Sequence, residues 1–288
     1  MSSEQEIEKV RHRAAETLEK GLAFIKSHGT ELTVLRAHAL LGAEPIEKMT
    51  EQVGLYQTER GGFRPLGLAA GGAVGFADEF AGAGLSEEVA GTIEALSALS
   101  DLGELQAPYV ESAARFLGEE QAEDGGWGSP DQPAEKRLFV TGMLAGLLGR
   151  TRVVRPVVLS EAGGFIGALW SRDRIEGPVW PALTAFAVFF SGVDHDEADG
   201  ALQWIGRELE IGYRRRVYDA TTTLRGLLHC QALGLPGASF DVVALLEDLL
   251  NEQGGDGGFA ELVPGGEALR VEPTLDAMLG ILRLCSVI

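Results

Sequence analysis

The chain has 288 residues and carries 24 Lys and Arg against 43 Asp and Glu, which gives a formal net charge of −19. This acidic balance argues against nucleic acid as a partner, because phosphate binding requires a basic surface. It also disfavours docking on anionic lipid. With 45% hydrophobic residues the chain can form a large core, and we predict a single domain over residues 1–288.

The cysteine and hydropathy patterns predict the compartment. Cys230 and Cys285 lie far apart in apolar surroundings and are expected to be reduced core thiols. The N-terminal segment is charged and lacks the apolar stretch of a signal peptide. The longest apolar run, about residues 181–193, is shorter than the ~18–20 residues of a membrane span. We therefore expect a cytoplasmic protein with no transmembrane segment.

Apolar residues recur at helical spacing from one end of the chain to the other, and no sustained alternation predicts a strand. In the first segment Ile7, Val10, Ala14, Leu18 and Leu22 share one helix face. The pattern predicts an all-α protein of about twelve helices. They are expected near residues 4–27, 31–42, 45–58, 86–102, 106–122, 133–149, 157–172, 179–192, 197–210, 218–233, 239–252 and 272–286.

The predicted helices alternate in character along the chain. The odd-numbered ones, such as 106–122 and 197–210, carry charges on one side, whereas the even-numbered ones are more apolar all round. Residues 181–193 have almost no polar face. Because a helix that is apolar on all sides is buried on all sides, the alternation predicts two concentric layers.

A short pattern occurs three times, at residues 57–63, 121–127 and 253–259. Each copy has a Gln, three further residues, two Gly and an aromatic residue, and it lies between an odd-numbered and an even-numbered helix. We expect the Gln to cap backbone groups at the helix end. The Gly pair would allow a tight reversal with positive φ, and the aromatic ring would fill the seam to the neighbouring hairpin.

This pattern resembles the QW-type repeat of the terpenoid cyclase and protein prenyltransferase β-subunit superfamily. The resemblance covers essentially the whole chain and implies a six-hairpin α/α toroid in one domain, whereas hopene and squalene cyclases have two. It implies a central apolar cavity for a hydrophobic small-molecule substrate. The Gly- and Ala-rich stretch 63–85 is an unusually long connection, which predicts either a lid or cavity lining, or a surface loop.

The resemblance also implies an acid. In class II terpene cyclases the corresponding inner helix begins Asp-x-Asp-Asp-Thr, and its middle Asp protonates an alkene or epoxide. Aligned on Thr221, Asp219 takes that middle position, although the other two acids are replaced. Aligned on Thr222, no acid remains. Asp219 is the predicted proton donor, with Tyr218 and Asp276 as its polar setting; the alternative for such a residue is helix capping.

The predicted substrate contacts come from the inner helices and a basic cluster. Aromatic walls suit polyprenyl chains and carbocations, but also an ordinary core. Polar residues on buried helices require a partner or a wet cavity. The arginines before the Asp219 helix predict either a diphosphate or carboxylate anchor or a solvated loop paired with Glu208 and Glu210. The predicted contacts are Trp180, Phe186, Phe190, Arg36, His38, Thr222, Glu272, Arg214 and Arg216.

No metal site is predicted. His229 and Cys230 are expected to pack in the core, because the zinc trio of the prenyltransferase β-subunits has no counterpart in this sequence. The acidic run 194–199 is interpreted as a solvated turn. We expect no cofactor, apart from Mg²⁺ if the substrate carries a diphosphate.

Together these features predict a terpenoid-cyclase-like enzyme, an isomerase or lyase, that folds an isoprenoid or polyene substrate and promotes its cyclisation by proton transfer. Two alternatives stay open. One is a non-catalytic binding or accessory protein on the same fold, favoured by the loss of two family acids. The other is a protein prenyltransferase-like subunit. The sequence does not determine the oligomeric state.

Overall fold

The computed structural model describes residues 3–67, 82–259 and 266–288. Within these ranges the chain has twelve α-helices and no β-strand, so the all-α prediction is confirmed. Most of the stretch 63–85 lies outside the described residues, and its role as a lid stays a prediction. The helices are α1 Ser3–His28, α2 Glu31–Leu40, α3 Ile46–Gly54, α4 Glu87–Leu102, α5 Val110–Glu119, α6 Ala134–Gly149, α7 Pro156–Leu169, α8 Trp180–Gly192, α9 Ala198–Arg214, α10 Ala220–His229, α11 Val242–Asn251 and α12 Val271–Cys285.

Side-chain caps mark several helix starts. Thr30 caps α2 by accepting from Thr33 N at 3.2 Å, and Ser86 caps α4 by accepting from Val89 N at 3.2 Å. These bonds satisfy N–H groups that have no partner inside the helix. The end of α4 is set by Gly103, whose φ of 79° is the left-handed conformation expected of a C-terminal glycine.

The helices bury different fractions of their surface. Most residues of α4, α6, α8, α10 and α12 are buried, whereas α3, α5, α9 and α11 bury one apolar face each. Even-numbered helices contact one another in chain order, from α2 to α4 and onward to α12. Helix α1 packs against α2, α11 and α12, so the two ends of the chain are in contact.

Helices α6 and α8 approach each other closely through glycines. A Cβ atom at Gly142 or Gly146 would lie 2.4 Å from the carbonyl oxygen of Ala185 or Val188. At Gly149 it would lie 2.0 Å from the carbonyl oxygen of Gly192. Real side chains cannot fit there, so these glycines are required for backbone-to-backbone packing. Gly149 and Gly192 therefore serve helix contact at the ends of α6 and α8.

The three glutamines of the repeat make equivalent hydrogen bonds. Each donates from Nε2 to a carbonyl of its own turn and to a carbonyl of the following odd-numbered helix or its cap. Gln253, which follows the last odd-numbered helix, reaches Thr17 of the first. The distances are 3.0 and 2.9 Å for Gln57 to Gly61 and Tyr109, 2.8 and 2.9 Å for Gln121 to Gly125 and Val158, and 2.9 Å for both bonds of Gln253 to Gly257 and Thr17.

The glycine pairs divide their roles. Only the first glycine of each pair has positive φ, namely Gly61, Gly125 and Gly257 at 96°, 85° and 92°. The second glycine leaves room for neighbouring side chains; at Gly126 a Cβ would lie 2.7 Å from both Arg137 and Phe165. The predicted reversal is confirmed for the first position, and close approach explains the second.

The aromatic residues of the repeat are fully buried, as expected of rings that fill seams. Phe63, Trp127 and Phe259 each have 0% exposure. Their backbone N–H groups donate to the side-chain hydroxyl of a threonine in the N-terminal half of the next helix. These bonds run from Phe63 to Thr92 at 2.9 Å, from Trp127 to Thr141 at 3.0 Å and from Phe259 to Thr274 at 3.0 Å.

Candidate functional site

A group of charged side chains lies buried between α2, α4, α10 and α12. We call Arg36, Asp101, Arg225, Glu272 and Asp276 the charged cluster. Arg36 Nη1 donates to both carboxylate oxygens of Glu272, at 3.1 and 2.9 Å, and Arg36 Nη2 donates to Asp101. The Nε of Arg225 lies 3.0 Å from Oδ2 of Asp276. The cluster thus joins helices from both ends of the chain.

The cluster has unusual acid strengths. Burial raises the pKa of Glu272 to about 7, and the negative charges of Asp276 and Asp101 add to this effect against the opposing effect of Arg36. Burial also raises the pKa of Asp276. For Arg36, burial disfavours the charged form, but Glu272 and Asp101 outweigh it and raise its pKa. Glu272 is therefore a carboxyl that is partly protonated near neutral pH.

The C-terminal ends of the even-numbered helices are tied together by polar contacts. Gln231, in the left-handed region with φ of 54°, donates to Ser100 Oγ at 3.0 Å, and it accepts from Arg283 at 2.6 Å. Arg150 donates to the carbonyl oxygen of His229 at 2.5 Å. Burial, and then Arg225, Arg150 and Arg36, lower the pKa of His229 to about 3, so its ring is neutral. These contacts link α4, α6, α10 and α12.

Two clefts border the even-numbered helices. A cleft of about 280 Å³ lies between α2, α4 and α12, with Asp101 and Arg283 beside apolar walls that include Leu40, Leu102 and Leu279. A second, of about 350 Å³, lies at the starts of α6 and α8. Its lining residues are Glu135, Lys136, Leu138, Phe139, Val179, Pro181 and Ala182. The first cleft shares Asp101 with the charged cluster.

Asp219 has the position of a helix cap. It is exposed, and its Oδ1 accepts from the backbone N–H of Thr222 at 2.7 Å, which makes it the N-cap of α10. Glu252 accepts from Ala220 N and Thr221 N at the same helix end, at 2.7 and 2.8 Å. A strong acid that stays neutral requires burial, so this geometry favours the capping interpretation over the predicted proton donor.

Tyr218 has a structural role next to Asp219. It is buried, and its hydroxyl donates to Gly177 O at 2.7 Å and accepts from Val179 N at 3.2 Å. These bonds fasten the segment before α8 to the start of α10. Asp276, the third predicted catalytic residue, belongs instead to the charged cluster. The three residues predicted as one acid site therefore make different contacts.

The predicted aromatic wall contacts the residue that follows α7. Phe186 and Phe190 lie edge-on to Trp170, which follows α7, with ring centroids 4.9 and 5.5 Å apart. They therefore fill part of the contact between α8 and α7, and their role in lining a substrate cavity stays a prediction. Trp180 packs toward α10, where its Nε1 donates to the carbonyl oxygen of Thr222 at 3.1 Å.

The arginines before α10 are paired at the surface. Arg214 lies 2.6 Å from Glu210, and Arg216 donates to Asp248 at 2.8 Å and stacks on the Tyr213 ring at 5.6 Å. The solvated-loop alternative describes them better than an anchor. His38 is half-buried near the end of α2, where its carbonyl oxygen accepts from Ala43 N at 2.8 Å.

The remaining expectations concern thiols, metals and membranes. Cys230 and Cys285 are both free, and burial raises the pKa of each thiol, to about 11 for Cys230. Among the described residues no group of three or more His, Cys, Asp or Glu side chains could hold a metal ion. Over the same ranges, each helix is too short or too polar to cross a membrane.

Comparison of the chain with protein-family models, with curated protein sequences and with solved structures found no match.

Sequence reasoning selected Arg36, Glu272 and Asp276 but missed Asp101 and Arg225. All five lie on even-numbered helices, where the rule that a buried polar group needs a partner applies equally. The available signal was the presence of opposite charges on different buried helices. Which of them meet depends on the depth at which neighbouring helices pack, and helical periodicity does not provide that.

Proposed function

We propose that this protein is a terpenoid-cyclase-like enzyme on an α/α toroid, which takes up an isoprenoid substrate between its inner helices and starts cyclisation by proton transfer. The observation that carries the proposal is Glu272, a buried carboxyl on an inner helix with a pKa of about 7. General acids work best when their pKa lies near the working pH.

The contacts between the chain ends support the toroid. In each repeat the glutamine reaches the next odd-numbered helix, and Gln253 reaches Thr17 of α1 at 2.9 Å. On the inner side Arg36 of α2 bonds to Glu272 of α12. Both sets of bonds connect the last hairpin to the first, as closure of a ring of six hairpins requires.

The proton donor in this proposal is Glu272, assisted by Asp276, in place of Asp219. Protonated Glu272 would give its proton to the substrate and become a carboxylate that accepts two hydrogen bonds from Arg36. Such charge-assisted bonds stabilise the carboxylate as it forms. Proton transfer to a double bond, or to an epoxide whose C–O bond then breaks, would leave a carbocation that a substrate double bond attacks to close the ring. The cyclised cation would then lose a proton to the Glu272 carboxylate, which restores the acid.

The acid strength of Glu272 limits the substrate class. A carboxyl with a pKa of about 7 is a weak donor toward an isolated alkene and a better one toward an oxygen base. We therefore propose an epoxide-bearing isoprenoid. The Nε–H of Arg36 is buried and donates to no described residue, and in this proposal it would bind the epoxide oxygen beside Glu272.

The test is product analysis with matched variants. The purified protein would be incubated with oxidosqualene, epoxyfarnesol and their non-epoxidised counterparts, and the extracts analysed by gas chromatography and mass spectrometry. We expect cyclised products from an epoxide, their loss in Glu272→Gln, and their retention in Asp219→Asn. Conversion that survives Glu272→Gln but is lost in Asp219→Asn would assign the acid to Asp219. Absence of conversion of every substrate would contradict the enzyme proposal.

A binding protein on the same fold is the second candidate. It is favoured by the capping role of Asp219 and by the ion pairs that join Arg36 to Asp101 and Glu272. In that case the charged cluster would only hold the inner helices together. Tight binding of an epoxidised isoprenoid, measured by calorimetry, with no turnover would identify this function.

A further inference from the structure

Helix α7 differs from the other odd-numbered helices in its outward face. In the 14 residues of Pro156–Leu169 Glu161 is the one charged residue. Val157 is 54% exposed and Val153, just before the helix, is 40% exposed. The exposed face therefore has apolar and small side chains where α1, α5 and α9 present charges. An exposed apolar helix face of this kind is typical of an interaction site.

A groove of about 610 Å³ runs beside this face, between α7 and the turn that joins α8 to α9. Its apolar walls are formed by Val154, Leu159 and Val193, and its floor includes Gly163 and Gly167. The twelve residues 156–167 span about 17 Å of helix, which matches about three turns of a docked helix. We call this feature the α7 groove.

The glycines of the α7 groove are not required by the fold. A Cβ at Gly164 would have no atom within 4 Å, and a Cβ at Gly167 would lie 3.7 Å from His195, an ordinary contact. Glycine inside a helix destabilises it relative to alanine. The contrast is Gly146 in α6, where a Cβ would collide with Val188. Internal packing therefore does not explain these glycines, and they leave room for the close approach of an external backbone.

The charge at the edge of the groove identifies the occupant. Asp194 and Asp196 line the groove, and Glu197 and Asp199 follow in the same run; all four are exposed. None of the four is in an ion pair with any residue that the structure describes. His195, between them, is fixed by its bond from Glu197 N at 3.2 Å and by Phe190 at 5.5 Å. The guanidinium of Arg155 lies at Gly118 of α5, on another side of α7.

We propose that the α7 groove binds an amphipathic helix of a partner protein, with apolar residues on the glycine floor and Lys or Arg residues against the acidic run 194–199. Helix-in-groove recognition combines these two elements, an apolar floor and a charged rim. A second copy of this chain fits less well, because each copy carries a net charge of −19.

The experiment uses an 18-residue helical peptide of Leu and Lys, labelled with fluorescein, and its Leu and Glu counterpart. Binding to the purified full chain would be followed by fluorescence anisotropy at physiological salt. Gly167→Leu fills the groove, and Gly200→Leu, on α9 with no atom within 4 Å of its Cβ position, is the matched control. The double variant Asp194→Asn, Asp196→Asn removes two negative charges from the rim of the groove. The double variant Glu119→Gln, Glu123→Gln removes two negative charges outside the groove and is its control.

We expect the Leu and Lys peptide to bind with micromolar affinity. Gly167→Leu and the Asp194→Asn, Asp196→Asn double variant should each weaken this binding at least tenfold, whereas the two control variants should bind as wild type does. The Glu peptide should not bind. Equal binding by wild type and Gly167→Leu would mean attraction to the acidic surface alone and would overturn the proposal, as would absence of binding. Dimerisation that Gly167→Leu abolishes, seen by light scattering, would replace the partner with a second copy.

Discussion

Arg36 on α2 and Glu272 on α12 are joined by two hydrogen bonds of 3.1 and 2.9 Å, although 236 residues separate them in the chain. The pair is buried, with side-chain exposures of 5% and 4%. A buried ion pair does not by itself imply stability, because desolvation of two charges offsets their attraction. Its effect is clearest when one partner is removed.

Replacement of Arg36 should therefore be severely destabilising. Arg36→Met would leave Glu272 and Asp101 facing each other without a cation. We expect a loss of about 3–5 kcal/mol in the free energy of unfolding, measured by urea denaturation. Arg283→Met, at a half-buried position of α12 whose bond to Gln231 is exposed, is the control and should cost less than about 1 kcal/mol. A loss below 1 kcal/mol for Arg36→Met would contradict the buried pairing.

The raised pKa of Glu272 should make stability depend on pH. Its pKa is about 7 in the folded protein against a model value of 4.5. Because the folded value is the higher one, the protonated form contributes stability that is complete below pH 4.5 and is lost as the pH rises through about 7. The difference between the two values corresponds to about 3 kcal/mol at most.

Glu272→Gln should remove this pH dependence, since glutamine mimics the protonated form. The melting temperature of the variant relative to wild type should rise between pH 5 and pH 8. The comparison with wild type is needed because His229 also makes stability depend on pH. Its pKa is lowered to about 3, so both proteins lose stability as the pH falls below 6.5. Melting temperatures that change in parallel for wild type and Glu272→Gln from pH 5 to pH 8 would rule out the raised pKa of Glu272.

The glycines of α6 and α7 should respond oppositely to alanine. Gly146→Ala would place a Cβ 2.4 Å from Val188 O and should cost at least about 2 kcal/mol. Gly164→Ala has open space and should stabilise by about 0.5–1 kcal/mol through helix propensity. Differential scanning calorimetry of both variants measures the contrast. Destabilisation by Gly164→Ala would mean that the α7 glycines serve the fold after all.

Two copies of the repeat form an ion pair with the acidic and basic residues at exchanged positions. In both copies the arginine stacks on a phenylalanine ring. In the second copy Asp124 pairs with Arg137 of α6, whose guanidinium lies 5.2 Å from the Phe165 ring. In the first copy the arginine is Arg60 of the turn, paired with Glu88 and 5.0 Å from Phe116. Arg137 is buried and also donates to Trp127 O at 3.2 Å, whereas Arg60 is exposed.

Arg137→Ala should therefore cost about 2–4 kcal/mol, because it leaves a buried carbonyl without its donor and removes packing against the ring. Arg60→Ala should leave the free energy of unfolding nearly unchanged. Chemical denaturation of the two variants under identical conditions provides the measurement. Equal losses in the free energy of unfolding for Arg137→Ala and Arg60→Ala would contradict the role of burial in this difference.

The helices and the repeat could be predicted because they depend on local patterns. Twelve helices follow from apolar spacing, and the Gly-Gly turns end α3 and α5 earlier than the periodicity alone indicates. Helix α10 ends at His229 because Gln231 takes positive φ, a conformation that no local pattern predicts for glutamine. Local signals therefore locate elements better than their ends.

The site was harder to predict because it depends on contacts between distant segments. Asp219 has the same sequence signature as an N-cap and as a catalytic acid, and its exposure together with its bond from Thr222 N favours the cap. Phe186 and Phe190 are apolar on a buried helix, but helical periodicity does not say which neighbour each ring meets. The partnership of Arg36 with Asp101 and Glu272 requires knowledge of three helices at once.

The most direct measurement is the titration of Glu272 itself. Carbon-13 labelling of glutamate side chains allows each carboxyl to be followed by NMR as the pH changes, and Glu272→Gln assigns the resonance. We expect a glutamate carboxyl resonance that titrates near pH 7 in wild type and is absent from the spectrum of Glu272→Gln. A Glu272 resonance that titrates near pH 4.5, the ordinary value of a glutamate, would contradict the proton-donor role.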